Sequence, residues 1–181
     1  MDPSTPPLPR AYWHLWTDPQ GVSRQTLCHL APYRLGVLGP NDSPQWNLDL
    51  FEQGNSFLTL LPRGWNAGWH ENHVPKWIFV LSGAWSVQSM DGSTQVFRAG
   101  DFSFGGDQGC LATPEGAKGH LSAQVGDEPC LQLILQRWIL FADIGDFFTY
   151  FMHDLLTQFK GDHTVGKCPR MGIIDPTHGW D

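Results

Sequence analysis

The chain has 181 residues, 41% of them apolar, which is enough for one domain with a full hydrophobic core. Its formal net charge is −7 and its 11 Lys and Arg residues are spread along the sequence, whereas nucleic acids and anionic membranes bind clustered basic surfaces, so we expect neither partner. No apolar stretch resembles a signal peptide or approaches the roughly 18 residues of a membrane-spanning helix, so we expect a cytoplasmic protein.

The beginning of the chain predicts an arm followed by weak strands. Residues 1–10 contain four prolines, which disfavour both helix and sheet, so we expect an extended arm. Between residues 11 and 46, short apolar groups alternate with turn dipeptides such as Asp18-Pro19, which indicates one or two edge strands joined by loops.

The middle of the chain predicts an antiparallel β structure. Six runs of apolar or β-favouring residues are bounded by turns, as is typical of strands. These runs are Phe57–Leu61, Trp77–Met90, Thr94–Phe97, Phe102–Phe104, Leu121–Val125 and Leu131–Trp138. The dipeptide Asp91-Gly92 indicates a tight hairpin, because glycine accepts the positive φ that such a turn requires. Short strands at regular spacing predict a barrel or a sandwich, which we place at residues 11–138.

The end of the chain has a different periodicity. In residues 139–181, apolar side chains first recur at spacings of three and four, which predicts one amphipathic helix of roughly 15 residues followed by an irregular tail. The apolar positions are Ile144, Phe147, Phe148, Phe151, Leu155, Leu156 and Phe159. We expect this helix to cover the barrel or to pair with a second subunit.

The four cysteines, Cys28, Cys110, Cys130 and Cys168, lie far apart and form no CxxC pair. This spacing predicts neither a zinc ribbon nor a redox motif, so we expect free buried thiols.

The most informative residues lie in three segments: 64–83, 99–107 and 118–122. Their order resembles the two halves of the cupin signature. Gly64, His70 and Gly83 match the first half, whereas the Gly100-Asp101 turn and His120 match the second. The resemblance covers the core at residues 57–138.

This resemblance to the cupin superfamily implies a small, single-domain, all-β protein. Its fold would be one jelly-roll β-barrel with an N-terminal extension and one C-terminal helix. The cavity of that barrel would contain His70 and His120. Because exposed edge strands usually need to be covered, we also expect a homodimer that forms through the N-terminal segment.

Two positions depart from the cupin signature and make its first motif degenerate. Lys76 stands where a cupin keeps its glutamate ligand, and Asn72 stands where it keeps its second histidine. A lysine ammonium repels a dication and offers no lone pair, so the usual site of three histidines and one glutamate is not expected. If one strand spanned this stretch, His70, Asn72 and Lys76 would share a face.

A divalent metal site remains one interpretation. His70, Asp107 and His120 form a possible set of two histidines and one carboxylate for Fe, Mn, Ni or Zn. His73 would join this set if a bulge at Pro75 turned it inward. The other interpretation is that these residues line a metal-free pocket, and we expect no organic cofactor in either case.

A metal-free pocket would support acid–base chemistry on a small molecule. His70 or His120 would remove a proton and Lys76 would stabilise the resulting oxyanion. Such an enzyme would be an isomerase, cyclase or lyase for a carbonyl or aromatic compound. Four further side chains are candidates for contact with the substrate: Trp69, Asn72, Trp77 and Trp85.

Two other functions stay open at this point. One is a metal-dependent dioxygenase of the non-haem iron kind, and the other is a ligand-binding or sensing protein without catalysis. In either case the long connection at residues 110–119 is expected to lie at the mouth of the barrel as a lid.

Overall fold

A computed structural model describes residues 5–30, 32–37, 40, 43–48, 50 and 54–137. This part of the chain is all β and has the two packed sheets of a jelly roll, so the expected fold class is confirmed. No helix within it is long and apolar enough to cross a membrane. The predicted C-terminal helix and tail lie outside the described residues.

Twelve strands make up the described part of the chain. In chain order they are β1 Ala11–Thr17, β2 Ser23–His29, β3 Arg34–Gly36, β4 Gln45–Asn47, β5 Gly54–Leu61, β6 Asn66–His70, β7 Lys76–Ser82, β8 Ala84–Ser89, β9 Thr94–Arg98, β10 Phe102–Gly106, β11 His120–Val125 and β12 Cys130–Arg137. They form a six-stranded sheet in the order β2-β1-β10-β7-β12-β5, a four-stranded sheet in the order β6-β11-β8-β9, and the hairpin β3-β4. Neighbouring strands are antiparallel, except that β1 runs parallel to β10.

The main hydrophobic core lies between the two larger sheets. It contains Leu15, Leu61, Ile78, Val80, Trp85, Val87, Phe97 and Cys130. A second cluster of buried residues, Tyr12, Cys28, Trp77 and Phe102, packs on the opposite face of the six-stranded sheet. Successive side chains of a strand point to opposite faces, so β7 contributes Trp77 to one cluster and Ile78 to the other. The centre of the six-stranded sheet is therefore buried on both sides.

The expected strand Trp77–Met90 is wrong as a single element. Gly83 divides it into β7 and β8, which belong to different sheets. Gly83 has a φ of +71°, and a Cβ atom at this position would lie 2.3 Å from the carbonyl oxygen of Pro129. A continuous run of β-favouring residues does not reveal that the chain changes sheets at one glycine.

The expectation for residues 11–46 is also wrong. The structure has four strands here instead of one or two, and β1 is not an edge strand because it lies between β2 and β10. Buried residues of β1 belong to both clusters, with Tyr12 on one face and Leu15 on the other. A strand buried on both faces lacks a clear alternation of apolar and polar residues, which explains the weak sequence signal.

The predicted hairpin at Asp91-Gly92 is confirmed. It joins the antiparallel strands β8 and β9, and Gly92 has a φ of +87°. The Gly92 amide donates to the carbonyl oxygen of Ser89 at 3.0 Å, and the Ser93 amide donates to the Asp91 carboxylate at 3.0 Å.

The cysteines follow the sequence prediction in part. Cys110 and Cys130 are buried and free, as expected. Cys28 is disulfide-bonded, so the expectation of a free thiol is wrong for this residue.

Gly83 and Gly92 allow a matched test of the point at which the chain passes from one sheet to the other. We expect Gly92→Ala to lower the free energy of unfolding by about 1–2 kcal/mol, because an L-residue is strained at positive φ. Gly83→Ala carries the same strain and also forces a Cβ atom onto the Pro129 carbonyl, so its loss is expected to be larger by about 1–3 kcal/mol. Urea unfolding of both variants measures the difference, and equal losses would contradict the close packing at Gly83.

Candidate functional site

His70 and His120 lie side by side at one end of the four-stranded sheet. They face each other across the antiparallel pair of β6 and β11. Their ring centroids are 4.3 Å apart and the ring planes are inclined by 49°. His70 is half-buried, whereas His120 is only 2% exposed. The structure thus brings the two histidines together, with His70 nearer to solvent.

Asp107 fixes the orientation of the His120 ring by a hydrogen bond. This aspartate follows the end of β10 and is fully buried. Its Oδ2 lies 2.7 Å from Nδ1 of His120. An ionised carboxylate can only accept hydrogen bonds, so Nδ1 carries the proton and donates it. In the neutral ring, Nε2 of His120 is therefore the unprotonated nitrogen.

Asn72 in turn donates two hydrogen bonds to Asp107. The other carboxylate oxygen, Oδ1, accepts hydrogen bonds from the Asn72 backbone amide at 3.1 Å and from its Nδ2 at 2.7 Å. The Asn72 carbonyl oxygen accepts from Nε2 of Gln108 at 2.9 Å. Asn72, a predicted substrate contact, is 3% exposed, and its side-chain amide is hydrogen-bonded to Asp107.

These contacts decide the ionisation of Asp107. Its burial opposes the charged form, but the hydrogen bond and charge of His120 and the hydrogen bonds from Asn72 outweigh that effect. As a result, the pKa of Asp107 lies below its usual value. The site therefore contains a buried carboxylate that is charged at neutral pH.

His70 has one ring nitrogen that carries no proton when the ring is neutral. Its Nδ1 lies 3.0 Å from the carbonyl oxygen of Gly68, which can only accept, so Nδ1 is protonated and Nε2 is free when the ring is neutral. Burial lowers the pKa of His70, and the charges of His120 and Lys76 add to this effect, although the Gly68 contact and Asp107 oppose it. At neutral pH His70 is an uncharged imidazole that can accept a proton.

Lys76 lies close to the same group of residues. It is the first residue of β7, is half-buried, and pairs with Gly105 of β10. A Cβ atom on Gly105 would lie 2.5 Å from Nδ2 of Asn72, so the amide of Asn72 occupies the space beside Lys76. Burial lowers the pKa of Lys76, whereas the charge of Asp107 opposes the shift.

The stretch between these residues is a loop, so the expectation of one continuous strand is wrong. Strand β6 ends at His70, β7 begins at Lys76, and residues 71–75 are irregular. No strand bulge forms at Pro75, and His73 is exposed. The structure therefore does not bring His73 to the other predicted metal ligands.

Two of the three predicted tryptophans pack in the hydrophobic clusters, and the third faces away from the histidines. Trp69 precedes His70 on β6, so its side chain points to the opposite face of the sheet. Trp77 is 1% exposed and its ring centroid lies 4.8 Å from that of Tyr12 in the second cluster. Trp85 is 4% exposed and lies 5.1 Å from Phe97 in the main core. None of the three joins the histidine pair.

The geometry does not fit a metal site with three protein ligands. Within the described residues, no group of three or more His, Cys, Asp or Glu side chains is arranged to hold a metal ion. Both oxygens of Asp107 already accept hydrogen bonds from His120 or Asn72. That leaves Nε2 of His70 and Nε2 of His120, whereas catalytic zinc and non-haem iron sites use three protein ligands.

A second network fixes the long connection at residues 110–119 over this end of the barrel. Glu71 follows directly after His70, and its Oε1 accepts a hydrogen bond from the Cys110 amide at 2.7 Å. Its Oε2 lies 2.7 Å from Nζ of Lys118. No sequence pattern identifies Glu71, because only the folded chain brings the two loops together.

Two cavities of about 320 and 290 Å³ lie elsewhere. Both are lined by Arg10, Gly100 and Phe102, and neither is lined by His70 or His120. We locate the chemistry at the histidines because the titratable groups converge there.

Comparisons with known proteins give no family for this chain. No family model and no curated protein matches it. Among solved structures it is similar to protein NMB1881 from Neisseria meningitidis, with 17% identity over 50% of this chain and 88% of that chain, at a TM-score of 0.31. It is also similar to a putative ethanolamine utilization protein Q from Salmonella typhimurium LT2, with 14% identity over 72% and 97% of the two chains, at a TM-score of 0.25. At these TM-scores neither likeness carries an argument about this chain.

Replacing the buried carboxylate tests the hydrogen bonds that hold it. We expect Asp107→Asn to lower the free energy of unfolding at pH 7 by about 1–3 kcal/mol, because hydrogen bonds to a charged group are lost. The folded-state pKa of Asp107 is lowered, so its stabilisation is present above the unfolded-state pKa and is lost as the pH falls through the folded-state value. The difference in free energy of unfolding between Asp107→Asn and the wild type should therefore become smaller below about pH 4.

Asp127→Asn is the matched control, because Asp127 is 83% exposed and pairs with exposed Arg63. Urea unfolding at pH 7, 5 and 3 measures all three proteins. If Asp107→Asn and the control lose the same free energy of unfolding at every pH, the buried, hydrogen-bonded carboxylate is contradicted.

Proposed function

We propose that this protein is a cupin-type enzyme that transfers a proton on a small carbonyl compound. In this proposal His70 is the general base and Lys76 is the cation that faces the developing oxyanion. One observation carries the proposal: the half-buried imidazole of His70 has an Nε2 without a partner among the described residues, packs on a ring fixed by a buried carboxylate, and lies near a half-buried lysine.

His70 is a better base than His120 because of exposure. A general base must come within hydrogen-bond distance of the proton that it removes. His70 retains solvent exposure, whereas His120 is almost completely buried. His120 acts instead as a positioning residue: its ring is fixed by Asp107 and packs against the ring of His70.

The reaction step is the removal of a proton from the carbon next to a carbonyl group. Nε2 of His70 accepts the proton, the electron pair of the C–H bond forms a C=C bond, and the carbonyl π electrons move onto oxygen. Lys76 stabilises the resulting enolate by its positive charge. Return of the proton to a different carbon gives isomerisation, and loss of a leaving group from the enolate gives a lyase reaction.

Exchange of carbon-bound protons with D₂O tests this step without knowledge of the natural substrate. We expect the wild type to accelerate loss of the ¹H NMR signals of protons next to the carbonyl in at least one of acetone, cyclohexanone, pyruvate, 2-oxobutyrate and phenylpyruvate. His70→Gln should reduce that rate by about 10²–10⁴-fold, which is the usual contribution of a general base.

The control variant for this experiment is His73→Gln, because His73 is exposed in the adjacent loop. It should exchange protons at the wild-type rate. A wild-type rate equal to that of buffer for every compound would overturn the proposal and favour a ligand-binding protein without catalysis. An unchanged rate in His70→Gln would also overturn it.

A further inference from the structure

Lys76 is a half-buried cation that no acidic side chain among the described residues neutralises directly. In the part of the chain that the structure describes, no carboxylate lies within ion-pair distance of its Nζ. Its neighbours across the sheet are Gly105 on one side and Gln136 on the other, and both are uncharged. A buried charge is normally paired, so an unpaired one at a candidate site indicates a ligand of opposite charge.

The nearest acidic group is already engaged. Asp107 is charged and fully buried, but both of its oxygens accept hydrogen bonds from His120 or Asn72. Its amide partner Asn72 also lies against Gly105, the residue that pairs with Lys76 across the sheet. Among the described residues, the ammonium group of Lys76 therefore keeps its hydrogen-bond donors for a ligand.

We infer that the substrate is a carboxylate, specifically a 2-oxo acid, whose carboxylate binds Lys76 while C3, the hydrogen-bearing carbon next to its 2-oxo group, faces His70. This inference rests on the site of the proposed function and names its substrate class. In a 2-oxo acid the carbonyl and carboxylate oxygens lie on adjacent carbons, so one ammonium group contacts both. A single cation thus holds the substrate and stabilises the enolate oxygen.

Charge favours a carboxylate over a phosphate ester. A phosphate carries up to two negative charges and three acceptor oxygens, and proteins usually bind it with several donors or cations. The described site has one cation and two imidazoles, of which His70 is neutral at pH 7 by its lowered pKa. Because the whole chain has a formal charge of −7, attraction of an anion must arise locally at Lys76.

Calorimetric titration of the full chain tests the inference with pyruvate, 2-oxobutyrate and phenylpyruvate and with the uncharged amide of each acid. We expect at least one acid to bind the wild type, and its amide to bind about ten- to hundredfold more weakly, since a hydrogen bond to a charged group is lost. Lys76→Met should weaken binding of the acid by at least a similar factor and weaken binding of the amide much less, because the amide keeps only the contact of its 2-oxo oxygen with Lys76.

Arg63→Met is the matched control, because it removes a cation whose side chain is 70% exposed. It should bind the acid as the wild type does. Circular dichroism checks that Lys76→Met is folded, and the comparison of acid with amide in the wild type does not depend on that variant. The inference is overturned if none of the three acids binds, if the amide binds as tightly as its acid, or if folded Lys76→Met retains full affinity.

Failure of this inference differs from failure of the proposed function. An acid that binds through Lys76 without exchange of its carbon-bound protons would overturn the proposed reaction and leave the carboxylate site intact. Exchange that proceeds equally fast on acetone and on pyruvate would support the proton transfer and contradict the carboxylate requirement.

Discussion

The buried pair of Asp107 and His120 is the interaction on which the candidate site depends. Asp107 follows β10 of the six-stranded sheet, and His120 begins β11 of the four-stranded sheet. Their 2.7 Å contact therefore ties the two sheets together at one end of the barrel. A buried carboxylate is stable there only because Asn72 and His120 satisfy both of its oxygens.

The remaining chemistry follows from that constraint. With Asp107 charged, His120 must carry its proton on Nδ1, and its ring has one fixed orientation beside His70. His70 is left as the neutral imidazole closer to solvent, and Lys76 as the half-buried cation. Because Asp107 already accepts these hydrogen bonds, the described residues leave too few protein ligands for the metal centre that the sequence allowed.

Local sequence signals predicted the parts of the fold that depend on local interactions. Asp91-Gly92 specifies its hairpin by the φ that the turn requires, and the later strands alternate clearly. The signals failed where long-range packing decides the structure. At Gly83 the chain passes from one sheet to the other, and Pro129 leaves no room there for a Cβ atom. The partner of Asn72 is 35 positions away in sequence. The motif positions identified His70 and His120, but the roles of Asn72 and Glu71 required the folded geometry.

The central claim is that His70 is a neutral base beside a histidine fixed by Asp107. The most direct test is a pH titration of the imidazole nitrogens by long-range ¹H–¹⁵N NMR on the uniformly ¹⁵N-labelled protein. We predict that His70 titrates below the usual histidine value of about 6.5 and that His120 carries its proton on Nδ1. A His70 that titrates at or above that value, or a neutral His120 protonated on Nε2, would contradict the account.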